Sequence, residues 1–477
     1  MIDVAVTTLS FVTQGLLLDS GTTTPESESP TGSLLAQVAR SLEARGVSYC
    51  QWKGHWSAHR WSAGNSDVDL LVDHAAMADF RELMDQLGFK RGLPSGERQI
   101  PGIESYVGYD PTVTRLLHLH VHYRLLLGDY WKPVYRLPVE RAILDGAVRG
   151  DPFRVPAATH KYFVFVLRMM LRQLGRPLLS TQTRWLAGIQ PPLASLDAAC
   201  DHEELASFLK QHLPVLDASF FMRCARSLRG ESGIVERALL PWLLARKLRA
   251  YARRPPLTAL MTAAVEKLLP QEIGDAVVES RMRLPGGGAV VALVGGNGAG
   301  KSSGARELAA WLSPVFPTMK ADLRHPAPSV FTLAVTGALK LQQLIAQRLK
   351  RGLISEHTLE LFRHVCTTRD RYLRYVKLHR FAAKGGIAIC EQYPIEGTGS
   401  LADPGIGSSL PTEPGLPGRV FRAIDAAYSA RMLRPDVVCV LRLGPEAAST
   451  RGAHLIDPSQ SQPEVIRDLK SALWRVL

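Results

Sequence analysis

At 477 residues, with 46% hydrophobic and 21% charged residues, the chain has the composition of a folded globular protein and exceeds one ordinary core, so two or three domains are expected. A net charge of +13, with Arg outnumbering Lys about three to one, leaves two explanations standing: an anionic partner (nucleotides, sugar phosphates or nucleic acid) or the Arg-rich usage of a GC-rich genome. No apolar run approaches the ~20 residues that span a bilayer, no basic stretch precedes residues 4–18 as a secretory leader requires, and six scattered cysteines without a Cys-x-x-Cys pair read as reduced thiols, so a cytoplasmic protein is expected.

In chain order, residues 20–33 are polar and of low complexity, and 1–33 reads as an N-terminal segment and linker. From 34 to 150, helical and strand patterns alternate as in an α/β unit. Within it, Trp52-Lys53-Gly54-His55 is followed, after eleven intervening residues, by Asp67-Val68-Asp69 and the apolar Leu70-Leu71-Val72, with Gly64-Asn65-Ser66 just before the first aspartate. Alternation along a strand puts Asp67 and Asp69 on one face, where both can ligate the metal ions that carry a triphosphate. The Gly54 turn and Ser66 lie where phosphate oxygens would be held. Further on, His118, His120 and His122 alternate along 117–124 and share one strand face.

These residues resemble the polymerase-β-type nucleotidyltransferase superfamily, in the branch with a Lys-Gly loop and a later Asp-x-His-aromatic strand. The resemblance implies a third metal-binding carboxylate on that strand. His122 and Tyr123 match the pattern, whereas His120 stands where the aspartate belongs. Imidazole replaces a hard oxygen poorly as a Mg²⁺ ligand. Three readings stay open: a catalytically dead relative, an enzyme working with two carboxylates at reduced rate, or a softer ion such as Zn²⁺ or Mn²⁺ held by the histidines with Asp67 and Asp69.

Residues 151–283 are rich in Leu, Ala and Arg at helical spacing and read as a helical region, with breaks expected near Pro191, Pro214, Pro241 and Pro255. Residues 243–254 form a basic amphipathic stretch, read as a solvated helix face in preference to a nucleic-acid or lipid contact. Gly286, Gly287 and Gly288 then punctuate the start of a second α/β domain at 284–477.

That domain opens with an apolar strand, 289–294, running into Gly295-Gly296-Asn297-Gly298-Ala299-Gly300-Lys301-Ser302-Ser303. This is a Walker A phosphate loop in its expected strand–loop–helix setting. Glycines let the backbone N–H groups close around a polyphosphate. Lys301 reaches the β/γ phosphates and the Ser302 hydroxyl ligates Mg²⁺. On 302–312, Ala305, Leu308, Ala309 and Leu312 share a helical face, so the positive end of that helix points at the phosphates. ATP and Mg²⁺ are the expected cofactors.

From the loop onward the pattern resembles the thymidylate kinase family. Arg324-His325-Pro326 follows the second predicted strand, where the family's Arg-x-Pro turn contacts the acceptor phosphate. Asp370-Arg371 lies on a helical stretch, 362–381, where the family's Asp-Arg pair lends an arginine to the substrate. The strand 386–393 ends in Glu391-Gln392-Tyr393, the slot of the family's Asp-Arg-Tyr, and a fourth strand, 435–441, leads to Pro445-Glu446 and Arg451. The run Arg369-Asp370-Arg371-Tyr372 is similar to that of kinase-like proteins encoded near bacterial exopolysaccharide genes. The resemblance implies a three-layer α/β/α fold with a parallel sheet, Lys301, Glu391 and Arg371 in catalysis, Ser302 and Glu391 at the metal, and Arg324 and Arg371 on the acceptor. Two departures stand out: Gln392 replaces the family's arginine, and only four residues separate Arg451 from Ile456-Asp457, where the family carries a lid. Both bear on phosphoryl transfer more than on nucleotide binding.

Two functions from different classes follow. One is an ATP-dependent phosphotransferase acting on a nucleotide or sugar phosphate, its N-terminal domain supplying a second nucleotide-handling site. The other is a catalytically impaired ATP-binding regulator or scaffold, placed by analogy in surface polysaccharide biosynthesis. The expected partners are a nucleoside triphosphate and a phosphorylated small-molecule acceptor, with a homodimer left open and nucleic acid ranked behind them.

Overall fold

The computed structural model describes residues 33–54, 67–94, 100–128, 134–174, 182–253, 281–296, 298–323, 326–349, 356–391, 393, 416–441 and 453–477. It is an α/β protein whose chain divides into two compact units, Met1–Ser280 and Arg281–Leu477. Among the described residues no helix is long and apolar enough to cross a membrane. All six cysteines are free thiols, five of them buried.

The first unit begins with helix α1 (Leu34–Ala44), capped by the Ser33 side chain, which accepts from the Ala36 amide. Leu35, Val38, Ala39 and Leu42 recur at helical spacing and form its buried face. Strands β1 (Tyr49–Lys53) and β2 (Val68–Val72) follow, then helix α2 (Met77–Gln86) and strands β3 (Lys90–Pro94), β4 (Ile103–Asp110) and β5 (Arg115–His122). They hydrogen-bond in the order β1-β2-β5-β4-β3. Only β2 and β5 run parallel; the β1–β2, β5–β4 and β4–β3 pairs are antiparallel.

A small hairpin, β6 (Leu125–Leu127) and β7 (Tyr135–Leu137), and helix α3 (Glu140–Asp145) lead into five helices: α4 (Ala158–Arg172), α5 (Gln182–Ala198), α6 (His202–His212), α7 (Ala218–Arg229) and α8 (Ile234–Lys247). Helix α4 is buried along almost its whole length and is the axis on which the others pack. One apolar cluster runs from Cys50, Trp52 and Leu71 on the strands through Phe163 and Met170 to Leu244 and Leu248.

Two of the proline breaks expected from sequence are absent. Pro191 and Pro192 lie inside α5, and Pro241 lies inside α8. Pro241 is itself buried between Leu240 and Leu244, so core packing outweighs the lost backbone bond. Pro214 does fall between helices, and Pro255 lies outside the described residues. The basic stretch at 243–254 is not one helix: α8 ends at Lys247 and a 3₁₀ turn spans Leu248–Tyr251. Its Arg246, Lys247 and Arg249 are exposed while Leu244, Ala245 and Leu248 are buried.

In the second unit, the short strand β8 (Met282–Arg283) precedes β9 (Ala289–Gly295), β10 (Thr318–Asp322), β11 (Ile387–Glu391), β12 (Val437–Leu441) and β13 (Ala453–Ile456). The last five form one parallel sheet in the order β10-β11-β9-β12-β13. All seven residues of the central β9 are buried, as a strand covered on both faces requires. On one face Val290, Ala292, Val294, Ala388 and Cys390 pack against Tyr375, Leu378 and Ala382 of helix α11 (Glu356–Ala383). Helix α9 (Lys301–Leu312) packs on the sheet and on α13 (Gln462–Val476), where Gly304 admits Leu469 and lies close to Leu293. Helices α10 (Val330–Leu349) and α12 (Leu416–Ser429) pack along α11.

Candidate functional site

Parallel strands deliver their loops to one edge of the sheet, and a crevice forms between neighbouring strands whose onward connections run to opposite sides. Strand β9, which continues to β10, has such a neighbour in β11, which continues to β12. Its partners are β11 on one side and β12 on the other, and its carboxyl end opens into the glycine loop. A Cβ at Gly295 would meet the Leu441 carbonyl oxygen at 2.4 Å, so only glycine lets β9 and β12 stay paired there. Past it, Gly298 and Gly300 have φ of +80° and +81°, the left-handed region that favours glycine. Among the described residues, a Cβ at Gly296, Gly298 or Gly300 would meet no atom within 4 Å, so those residues leave an open cradle beside the loop.

Lys301 is the first residue of α9 and is buried. Its Nζ donates to the carbonyls of Gly295 at 2.9 Å and Gly296 at 2.6 Å, bracing the loop. Ser302 Oγ donates to Glu391 Oε2 at 2.5 Å. The predicted metal pair thus comes together, the hydroxyl from the helix start and the carboxylate from the end of the adjoining strand. Ala299 closes the turn on the Gly296 carbonyl, Ser303 is exposed, and Asn297 lies outside the described residues. The cradle and the two oxygen donors fit a triphosphate with Mg²⁺.

The acceptor side is assembled differently from the expectation. Arg371 is buried, and its Nε donates to the Leu323 carbonyl at 2.8 Å. It braces the chain at Leu323, just past the end of β10. Asp370 accepts from the Ser329 amide at 2.9 Å. Burial opposes the Asp370 charge, but the Ser329 bonds win and hold it below the usual carboxylate range. Tyr393 is buried and donates to the Leu433 carbonyl at 2.6 Å, a structural role. Arg324, Gln392 and Arg451 lie outside the described residues. Asp322, which the sequence reading passed over, pairs with Glu391 in register at the same sheet edge; strand order is the signal that reveals it.

A second cluster lies in the first unit. In the parallel β2–β5 pairing Asp69 is opposite His120 and Leu71 opposite His122. Asp69 Oδ1 lies 3.1 Å from His120 Nδ1, 3.6 Å from His122 Nε2 and 2.8 Å from Lys53 Nζ. Asp67 Oδ1 lies 2.7 Å from His118 Nδ1. Lys53 belongs to the Lys-Gly motif of the sequence, which by itself assigns it no role; the β1–β2 register sets it opposite Asp69, next to an irregularity after Gln51. Gly54 follows with φ +77°. Ser66 and His55 lie outside the described residues.

Burial opposes every shifted charge here; pairing wins for Asp69, Asp67 and His118, and burial wins for His122 and Lys53. The Lys53 ammonium and the imidazoles of His120 and His122 hold Asp69 well below the usual carboxylate range. His118 holds Asp67 below the usual carboxylate range. Asp67 in turn lifts His118 above its ordinary value against burial. Burial pushes His122 down to about 3 and lowers Lys53 despite Asp69. A Mg²⁺ set needs oxygen donors, and the group formed here is Asp69, His120 and His122, one oxygen and two nitrogens, with an ammonium on the oxygen. It does not fit the Mg²⁺ that the nucleotidyltransferase resemblance implies.

No family model matches the chain, and no curated protein matches it. Among solved structures, thymidylate kinase from Ehrlichia chaffeensis aligns with 39% of this chain and 96% of its own, at 14% identity and a TM-score of 0.24.

Proposed function

We propose that the second unit binds ATP with Mg²⁺ and transfers its terminal phosphoryl group to a nucleotide or sugar phosphate. The observation that carries this is the open glycine cradle at the end of the central strand, joined through the Ser302–Glu391 hydrogen bond to the neighbouring strand. In this reading the amides of 298–301 close on the β and γ phosphates and Lys301 leaves its carbonyl partners for them. Ser302 and Glu391 hold Mg²⁺, which neutralises charge on the transferring phosphoryl. Arg371 steadies the Leu323 carbonyl just past the end of β10, and Arg324 is the residue expected from sequence to meet the acceptor. The N-terminal α/β portion is a nucleotidyltransferase-like domain that no longer performs Mg²⁺-dependent transfer, because His120 stands in its third carboxylate position.

Gln392 favours a second reading, ATP binding without turnover, since a fixed positive charge is missing beside the phosphoryl group. Calorimetry with ATP–Mg²⁺ and an ADP-release assay over a panel of nucleoside monophosphates and sugar phosphates separate the two. The proposal expects acceptor-dependent ADP release that Lys301→Ala abolishes. ATP binding with no turnover on any acceptor selects the second reading, and no ATP binding at all removes both.

A further inference from the structure

Strand alternation sets His118, His120 and His122 on one face of β5, and the parallel register brings the last two onto Asp69. The donors Asp69 Oδ1, His120 Nδ1 and His122 Nε2 are separated by 3.1 Å and 3.6 Å along the two carboxylate edges. A tetrahedral ion with bonds of ~2.0–2.1 Å needs donor separations of about 3.3 Å. The three ligand atoms lie within 4.8 Å of one another, so a small rotation of the imidazoles closes the remaining edge.

We propose that Asp69, His120 and His122 form a binding site for a divalent transition metal of the Zn²⁺ class. Three observations beyond proximity support it. The His122 ring is buried and makes no hydrogen bond among the described residues, a costly arrangement that a metal–nitrogen bond would satisfy. Trp52 packs edge-on against that ring with centroids 4.9 Å apart, holding it toward the carboxylate. The Lys53 ammonium, 2.8 Å from Asp69 Oδ1, occupies the position where the carboxylate needs a cation, and a bound ion takes its place. Two imidazoles and one carboxylate suit Zn²⁺ or Co²⁺ and disfavour Mg²⁺ and Ca²⁺. Three protein ligands leave a fourth position for water or an anionic oxygen of a ligand. The site is read out without ATP, so it stands or falls separately from the phosphotransferase proposal.

The test uses the full chain, stripped with a chelator and titrated with Zn²⁺ by calorimetry and with Co²⁺ by visible absorbance. The expected result is saturable binding of one equivalent that excess Mg²⁺ does not displace. His120→Gln and His122→Gln each weaken it more than about tenfold, with fold checked by circular dichroism. Lys53→Met tightens it, because a competing cation is gone. X-ray absorption at the Zn edge of the unmodified protein gives two imidazoles, oxygen donors and no sulfur, which keeps the test independent of variants that fail to fold. Absence of saturable binding, binding undiminished without both imidazoles, or a sulfur-containing shell drawn from the cysteines would each overturn the site and leave the histidines a polar sheet face.

Discussion

A β-carbon on Gly288 would stand 1.7 Å from the carbonyl oxygen of Gly386, with backbone on both sides of the clash. Neither chain can yield without breaking the strands that follow, so Gly288→Ala should cost the second unit at least about 3 kcal/mol, read as a lowered melting transition. In the first unit, His160 is buried against Phe208, with ring centroids 4.8 Å apart. Burial lowers its affinity for a proton, His212 adds to this, and Glu204 opposes it without prevailing. Its folded value is therefore below the unfolded one, so the unfolded chain binds the extra proton first. Stability contributed at neutral pH is lost as pH falls below about 6.5, by up to about 1.4 kcal/mol per pH unit. Urea unfolding of His160→Gln from pH 7 to pH 5 should show a flatter acid limb than the unmodified protein; an identical slope would exclude His160 as its source.

Helix α2 is fastened to the sheet by one carboxylate. Glu104 on β4 is buried and accepts from Arg81 of α2, lies 2.9 Å from Arg91 of β3, and accepts from Tyr106 at 2.7 Å and Tyr123 at 3.2 Å. Burial opposes its charge, and the arginine and tyrosine bonds still hold it below the usual carboxylate range. Both arginines are partly exposed, which limits the loss, so Glu104→Gln should cost about 2 kcal/mol in urea unfolding of the first unit. None of this was legible in the sequence, where Arg81 and Arg91 look like ordinary surface charges. What was legible is local. Gly295, Gly300, Lys301 and Ser302 are placed by spacing along one strand–loop–helix, and Glu391 by its position at the end of an apolar run. The grouping of Asp69 with His120 is expected through the family resemblance, whereas the contact of Asp69 with Lys53 depends on a pairing register between strands, which periodicity does not encode. The same limit hid the bracing role of Arg371, since an arginine at helical spacing gives no sign of a carbonyl across the fold.

With one candidate ligand site in each compact unit, the whole chain should show ligand effects that sort by unit. Saturating ATP–Mg²⁺ at about a hundred times its dissociation constant should add ~2.7 kcal/mol to the unfolding of the second unit, and Zn²⁺ should stabilise the first. Differential scanning calorimetry checks this: Lys301→Ala should erase the ATP shift and spare the Zn²⁺ shift. A single transition displaced equally by both ligands would instead mean that the units unfold as one. The position of β9 also sets a schedule for biosynthesis. Its two neighbours are made long after it: Val290 donates to Asp436, 146 residues downstream, and β11 begins only at Ile387. During translation the strand behind the glycine loop therefore emerges with both edges open and seven apolar or glycine positions uncovered. A nascent chain halted before Val437 should be unable to hold nucleotide and should demand chaperone protection. On the proposed function, nucleotide capture is then one of the last competences the growing polypeptide acquires.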